Sequence, residues 1–387
     1  MHRTSPTQLL YLGAIGAYTL WGIAFFNGTL DRMNAAIEKG VMPDGRALRS
    51  TYTGYPLLDG RLTYLSAFYE VLSNSLTTGP RLLFLDLNFV LSSTLLWVFI
   101  ESRRRGVRNI SLRHPVPFAM LWNALGAAFI QPLYFYAITQ SQATTRDPTI
   151  PLNEAIALFV TTIPTLLFPL FLFAPSYLDW STYEHHGYIE KFLGTPFLMV
   201  VICVSTIALM WPKFGLVSPK DAKKPNEDMK WIVASYAMAG VIAAIVHIAT
   251  IIACLQSLDG DINFTRLFVP TLSKVSSLST ASGIHNGTVH ASILPIEYQK
   301  LVEGYHIFTQ FDTIVVTFSC IVFVHWLLSN QGNTKTPGSK NMSGSEMKEL
   351  ASLVVGSVLI GPGAAGSFAL AVRESRLREE KPTGKLQ

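Results

Sequence analysis

The chain has 387 residues, of which 49% are hydrophobic and only 14% charged, with a net charge of +5; its mean hydropathy is +0.34 and its pI near 9.0. A soluble domain carries roughly a quarter charged residues, and a chain with a single span would be dominated by its soluble part, so soluble enzymes and single-anchor proteins are excluded. Nucleic-acid binding does not follow from the basic balance either, because Lys and Arg sit in short clusters between apolar runs, as in the cytoplasmic loops of membrane proteins.

Spanning the hydrocarbon as a helix takes about 20 mostly apolar residues, since every backbone polar group must be satisfied within the segment. In chain order the candidate spans are Leu9–Leu30, Arg81–Ile100, Pro117–Thr139, Leu152–Ala174, Phe192–Trp211, Trp231–Leu255, Ile307–Leu328 and Ala351–Ala371. The first follows a single charged side chain, Arg3, and reads as a first span or signal anchor. The last contains Gly-Pro-Gly-Ala-Ala-Gly at 361–366, rich in helix breakers. The predicted fold class is therefore all-α, a polytopic membrane helix bundle of seven or eight transmembrane helices in one domain over 1–371, followed by a charged, disordered tail over 372–387.

Between the first two spans, Leu62–Thr78 is apolar but shorter and carries Glu70; it is predicted as a re-entrant or interfacial helix ended by Thr77-Thr78-Gly79-Pro80. Two basic loops, Arg103–Arg113 and Lys213–Lys230, are expected on the cytoplasmic side. Three candidate spans separate them, whereas two loops on one side need an even number. Either Leu152–Ala174, interrupted by Pro164 and Pro169, fails to cross fully, or one basic loop is lumenal; the first is the expectation. The 256–306 loop suits the lumenal side and holds two glycosylation acceptors, Asn263-Phe264-Thr265 and Asn286-Gly287-Thr288, although Asn109 and Asn341 match the same loose pattern. Cys203, Cys254 and Cys320 each lie in an apolar run and imply no disulfide framework.

An ionisable side chain inside a membrane helix is costly enough that function or pairing is the default reading. Asp86 lies five residues into its span, with Val90, Ser93 and Trp97 at helical spacing, so acid and indole share a face; the alternative is a boundary carboxylate paired with Arg81. Glu154 opens a span with Thr161 and Thr165 on its stripe, and stabilisation of a helix N-terminus is the competing role. Asn123, Gln131 and Tyr134 cluster on one face, with Trp122 nearby, and either line a pocket or bond neighbouring helices. Glu70 stands beside Phe68 and Tyr69. Asp59, in Leu-Asp-Gly, reads first as a turn residue. His306, Gln310, Thr313 and Thr317 share one face of the seventh span, with Asp312 pointing elsewhere, and helix pairing is the expected role of that set.

The sequence has no clustered histidines for a di-iron site, no His-Glu-x-x-His, no Walker A loop, no Gly-x-Ser-x-Gly and no paired-aspartate motif for Mg²⁺ and a diphosphate. No cofactor and no metal are expected. What remains is an apolar cavity with a few carboxylates and abundant aromatics, 23 Phe, 14 Tyr and 7 Trp. A buried neutral carboxyl can donate a proton, and aromatic faces can stabilise the cation that forms.

Three runs add to this reading: Tyr-Pro-Leu-Leu-Asp at 55–59, Arg-Leu-Leu-Phe-Leu-Asp-Leu-Asn at 81–88 and Phe-Ile-Glu-Ser-Arg-Arg-Arg-Gly at 99–106. Together with 123–136, which holds Gln-Pro-Leu-Tyr-Phe-Tyr, they resemble the fungal integral membrane terpene cyclases of meroterpenoid pathways, of the ascochlorin and ascofuranone type, over about a third of the chain. The resemblance implies a metal-independent cyclase of the endoplasmic reticulum membrane. Such an enzyme protonates an epoxide or terminal alkene on a prenyl chain carried by an aromatic or polyketide-derived core, alongside other enzymes of its pathway. Candidate acids are Asp86, Glu70, Glu154, Asp59 and Glu101; candidate substrate contacts are Trp97, Trp122, Asn123, Gln131, Tyr134, Phe68 and Tyr69. The competing class is a non-enzymatic transporter or receptor-like bundle, against which stands the lack of internal repeats.

Overall fold

The computed structural model describes residues 4–74, 76–105, 107, 109–141, 147–176, 178–210, 226–258, 260–278, 294–330 and 342–379. Apolar runs become helices throughout. Helix α1 (Thr7–Phe26) contains a π turn over Tyr18–Gly22 and is followed by the short polar α2 (Thr29–Lys39). Helix α3 (Pro56–Ser73) starts on a proline, whose missing N–H costs nothing in a first turn. It starts and ends earlier than the predicted Leu62–Thr78, and α4 (Thr78–Arg103) follows. The predicted break at Gly79-Pro80 is thus displaced: both residues sit in the first turn of α4, where proline is tolerated.

Among the described residues, five single helices are long and apolar enough to cross a membrane: α1, α4, α7 (Leu152–Phe171), α10 (Met229–Gln256) and α11 (Ile296–Ser329). A sixth is formed only if α8 (Thr182–Leu193) and α9 (Thr195–Met210), bent by 61°, count as one. The all-α, polytopic helix bundle expected from the sequence is what these helices form. The third predicted span is divided into α5 (Val116–Leu125) and α6 (Ala127–Gln140) at Gly126, whose φ of 92° lies in the left-handed region. The eighth is divided into α12 (Gly344–Leu359) and α13 (Pro362–Glu379) at Gly361, φ 87°. Conversely α7 is an unbroken helix despite Pro164 and Pro169, so the break expected there lies elsewhere. Most of the second basic cluster, Lys213 to Lys224, lies outside the described residues, as do Asn286 and Asn341. Asn263 caps the short helix Phe264–Phe268, accepting from Arg266 N–H.

Helix α4 is the axis of the bundle, 89% buried over its apolar window, with α10, α7, α13 and α11 packed around it. Helix α1 lies along α6, and the approach is close: a Cβ on Gly16 would stand 2.1 Å from Ala128 O. Small residues at such crossings let backbones touch in a medium where burial of apolar surface gives no net drive. The C-terminal segment is helical through Glu379, so residues 372–379, expected as tail, are part of the bundle, with Arg373, Glu374 and Arg378 buried; 380–387 lie outside the described residues.

Candidate active site

A pocket opens between α1, α2, α3, α4, α11 and the break between α5 and α6. Helical spacing builds its walls. Helix α11 contributes Tyr305, Phe308, Thr309 and Asp312, a stripe at i, i+3, i+4 and i+7. From α3 come Tyr64, Leu65, Phe68 and Tyr69, and from α4 Phe84, Leu87 and Leu91. The rings pack edge to face around Phe68, whose centroid is 4.9 Å from that of Tyr305 and 5.3 Å from that of Phe308, while Tyr69 and Phe84 stand 5.4 Å apart. Edge-to-face packing is the favoured arrangement of aromatic quadrupoles.

Asp312 is the carboxylate on this cavity wall. One of its oxygens accepts from the Ala128 N–H at 2.5 Å, at the first turn of α6 that Gly126 exposes. The side chain is 6% exposed. The remaining polar groups of the lining are Tyr64 and Tyr305, whose hydroxyls are 3.2 Å apart, Tyr69, Trp21, Asn123 and Thr309, the last bonded back to the Tyr305 carbonyl.

Of the predicted substrate contacts, Phe68, Tyr69, Trp122 and Asn123 line the cavity. Trp97, Gln131 and Tyr134 do not. The Trp97 indole donates to Ser367 Oγ at 2.8 Å and abuts Gly366 on α13. Gln131 donates to Thr94 Oγ1 at 2.6 Å, and Tyr134 stacks on Phe118 with its hydroxyl 3.3 Å from the Leu112 carbonyl.

The predicted acids fall in separate places. Asp86 is buried against His247 Nδ1 at 2.8 Å, and the opposite ring nitrogen of His247 reaches the Val358 carbonyl; the expected partner Arg81 is not the one it takes. Asp86 and Trp97 do share a face, yet that face packs on α10 and α13, away from the cavity. Glu101 sits in a buried lattice of charges. It pairs in bidentate fashion with Arg104 at 2.9 and 2.8 Å and with Arg373 at 2.7 Å, while Arg104 also grips Glu374, and Arg378 joins Glu374 to Asp228. Glu154 is half-buried in the first turn of α7. Asp59-Gly60, read from the sequence as a turn pair, instead lies within the start of α3, and the Asp59 carboxylate accepts from Thr53 N–H, Thr53 Oγ1 and Gly54 N–H at 2.7 to 3.0 Å. These bonds, the Thr53 amide foremost, hold its carboxyl below the ordinary range.

Glu70 is buried between Arg46 and His185, both of which donate to it, and Arg46 also binds Asp44 and the Tyr298 hydroxyl, each at 2.7 Å. Burial pushes this carboxyl up, but the His185 hydrogen bond and charge, with Arg46 and His186, outweigh it and hold it below the ordinary range. An ionised, doubly paired carboxylate is an anchor for α3 on α8 and not a proton donor. His306 and Gln310 bond the carbonyls of the 264–268 helix, the pairing role expected of that face. Among the described residues no group of three or more His, Cys, Asp or Glu side chains is placed to hold a metal ion.

Asp312, set apart from the polar face of its helix in the sequence, is thus the carboxylate that reaches the cavity. The signal was present in the stripe that starts at Tyr305, one residue before the His306 stripe on which the helix was read.

The CtvD domain matches residues 4–378, nearly the whole chain. Two relatives bearing the name terpene cyclase DEP1, from Fusarium langsethiae and Alternaria brassicicola, are 42% and 43% identical to it, over 97% of this chain and 100% of each relative. Terpene cyclase alnG of Emericella nidulans is 22% identical over 94% of this chain and 92% of its own length. No solved structure matches. With an aromatic cavity enclosed by apolar helices and full-length identity to these proteins, the chain belongs to the CtvD-domain family of fungal membrane terpene cyclases.

Proposed function

We propose that the enzyme is a proton-initiated cyclase in which Asp312 is the general acid, acting on a prenyl or epoxy-prenyl chain carried by a meroterpenoid precursor. The observation that supports this is the siting of one buried carboxyl on the wall of a cavity lined mainly by aromatic rings and aliphatic side chains. A protonated carboxyl has one O–H to give while its other oxygen still accepts. The Ala128 amide fixes one oxygen, which holds the carboxyl at the wall that the substrate would meet. Transfer of that proton to an epoxide oxygen opens the C–O bond as the neighbouring double bond attacks. The cation then moves from ring to ring as each C–C bond forms, stabilised by the faces of Phe68, Tyr305 and Phe308. Loss of a proton to the Asp312 carboxylate closes the cycle and restores the acid, so product and substrate are isomers.

The proposal includes residence in the endoplasmic reticulum membrane beside the enzymes that prenylate and epoxidise the precursor, a setting that suits a hydrophobic substrate which never leaves the bilayer. It is tested by feeding microsomes from an expressing host with a farnesyl phenol bearing a terminal epoxide. A cyclic isomer of unchanged mass, formed in the presence of EDTA, is the expected product. Recovery of the linear epoxide alone, across several aromatic cores, would count against the reading, as would activity that EDTA abolishes and Mg²⁺ restores.

A further inference from the structure

Two irregularities in otherwise regular helices meet at the mouth of the cavity. Helix α1 widens into its π turn at Tyr18–Gly22, which contains Trp21; such turns are rare and concentrate at functional sites. Opposite it, α5 stops at Leu125, and the chain turns at Gly126 into α6. The end of a helix leaves carbonyls without intrahelical donors. The Leu125 carbonyl takes its bond from the Trp21 indole N–H at 2.8 Å. The next side chain, Leu20, fills the space over Gly126, where a Cβ would stand 2.3 Å from Leu20 Cδ1. Two side chains of α1 therefore close on the α5–α6 break, one by a hydrogen bond and one by packing.

This contact is at the open end of the cavity. Of the lining residues, Trp21, Leu30, Tyr64 and Asn123 are half-buried, whereas Asp312, Thr309, Phe84 and Trp122 are buried. Outside the contact the surface is apolar. Tyr18 and Phe25, three residues before and four after Trp21 on the same helical face, are 64% and 62% exposed, and Leu121, one turn before Leu125, is 43% exposed. The apolar span ends five residues beyond Trp21, at Phe26, so this face lies where acyl chains give way to headgroups and water, the depth that tryptophan favours.

We propose that the α1–α5 seam is a lateral portal through which the prenyl tail enters from the bilayer, and that Trp21 is the residue that shuts it behind the substrate. This rests on the cyclase reading above and adds a specificity role to it. The final cation has two fates. It loses a proton from a neighbouring carbon and gives an alkene isomeric with the substrate. Alternatively it bonds the oxygen of a water molecule, which then releases a proton, and gives a cyclic alcohol heavier by one water. The Trp21 indole selects the first by keeping the seam closed while the cation exists.

The test is the ratio of cyclic alcohol to alkene formed from the same farnesyl phenol epoxide by microsomes carrying Trp21→Phe or Trp21→Ala. Trp21→Phe keeps a ring against Phe308, whose centroid lies 5.9 Å away, and removes only the N–H. Loss of a hydrogen bond of ordinary strength corresponds to about a 2- to 10-fold rise in that ratio, and Trp21→Ala raises it further and admits tails of greater bulk. A structural role would change protein abundance and leave the ratio alone. An unchanged ratio in Trp21→Phe at wild-type abundance overturns the portal, whatever Asp312→Asn does. Normal turnover in Asp312→Asn overturns the donor assignment and leaves the portal to be judged by the ratio.

Discussion

Glu101 is the predicted acid whose surroundings argue most strongly for a different role, and Glu101→Gln tests this. Its lattice balances three carboxylates, Glu101, Glu374 and Asp228, against three guanidinium groups, Arg104, Arg373 and Arg378. The amide would leave it with one excess positive charge. Arg104 keeps Glu374, but Arg373, 1% exposed, loses the carboxylate that binds it at 2.7 Å. An uncompensated buried charge costs about 3–5 kcal/mol, or about two to nearly four orders of magnitude in the ratio of folded to unfolded protein. The assay is abundance in carbonate-washed membranes and thermal unfolding in detergent, with cyclisation measured per amount of folded protein. Glu101→Gln is expected to be scarce and unstable, and Glu101→Gln with Arg373→Met to recover most of the loss, because charge balance returns and Arg104–Glu374 persists. A Glu101→Gln protein of wild-type stability that forms no product, or a double variant as unstable as the sum of the two single changes, would refute the reasoning.

Asp86→Asn is expected to lower stability by about 1.5–3 kcal/mol, through loss of the charge-assisted bond to His247, while cyclisation per folded molecule stays near wild type; loss of turnover at normal abundance would return Asp86 to the active site. Gly16→Ala would drive a methyl to 2.1 Å from Ala128 O, overpacking that costs about 1–3 kcal/mol and shifts the α6 turn that holds Asp312; unchanged thermal unfolding and turnover would show that α1 does not brace α6. Glu70 is held below its ordinary value of 4.5, so its stabilisation is complete above that pH and is lost as pH falls below it. Thermal unfolding of Glu70→Gln against pH should accordingly lack part of the acid limb seen in the wild type, and superimposable limbs would contradict the pairing with Arg46 and His185.

The all-helical membrane bundle was legible because a spanning helix must be apolar along its length, and α4, α7, α10 and α11 stand within a few residues of their predicted positions; the start of α11, reaching back to Ile296, is the largest departure. Span number was less legible. Gly126 and Gly361 carry positive φ and divide two apolar runs, a backbone property that hydropathy does not register. The aromatic wall was half legible: Trp122, Asn123, Phe68 and Tyr69 reach the cavity, but Trp97 and Tyr134 belong to equally apolar faces that pack on other helices. Asp312 was passed over for a physical reason. A helix touching neighbours on most sides, as α11 touches α1, α3, α4, α6 and α13, has no single inward stripe, so a polar face at His306 and Gln310 does not exclude a second at Tyr305 and Asp312.

Asp312→Asn tests the central claim most directly, measured as cyclic product formed per amount of membrane-integrated enzyme from the linear epoxide. The substitution keeps a carbonyl oxygen to accept the Ala128 N–H and removes the proton to be donated. Loss of a general acid typically removes about two to four orders of magnitude of rate. The expected result is a fall of that size at wild-type abundance and unfolding temperature; turnover within a few-fold of wild type in the same membranes would contradict Asp312 as the donor.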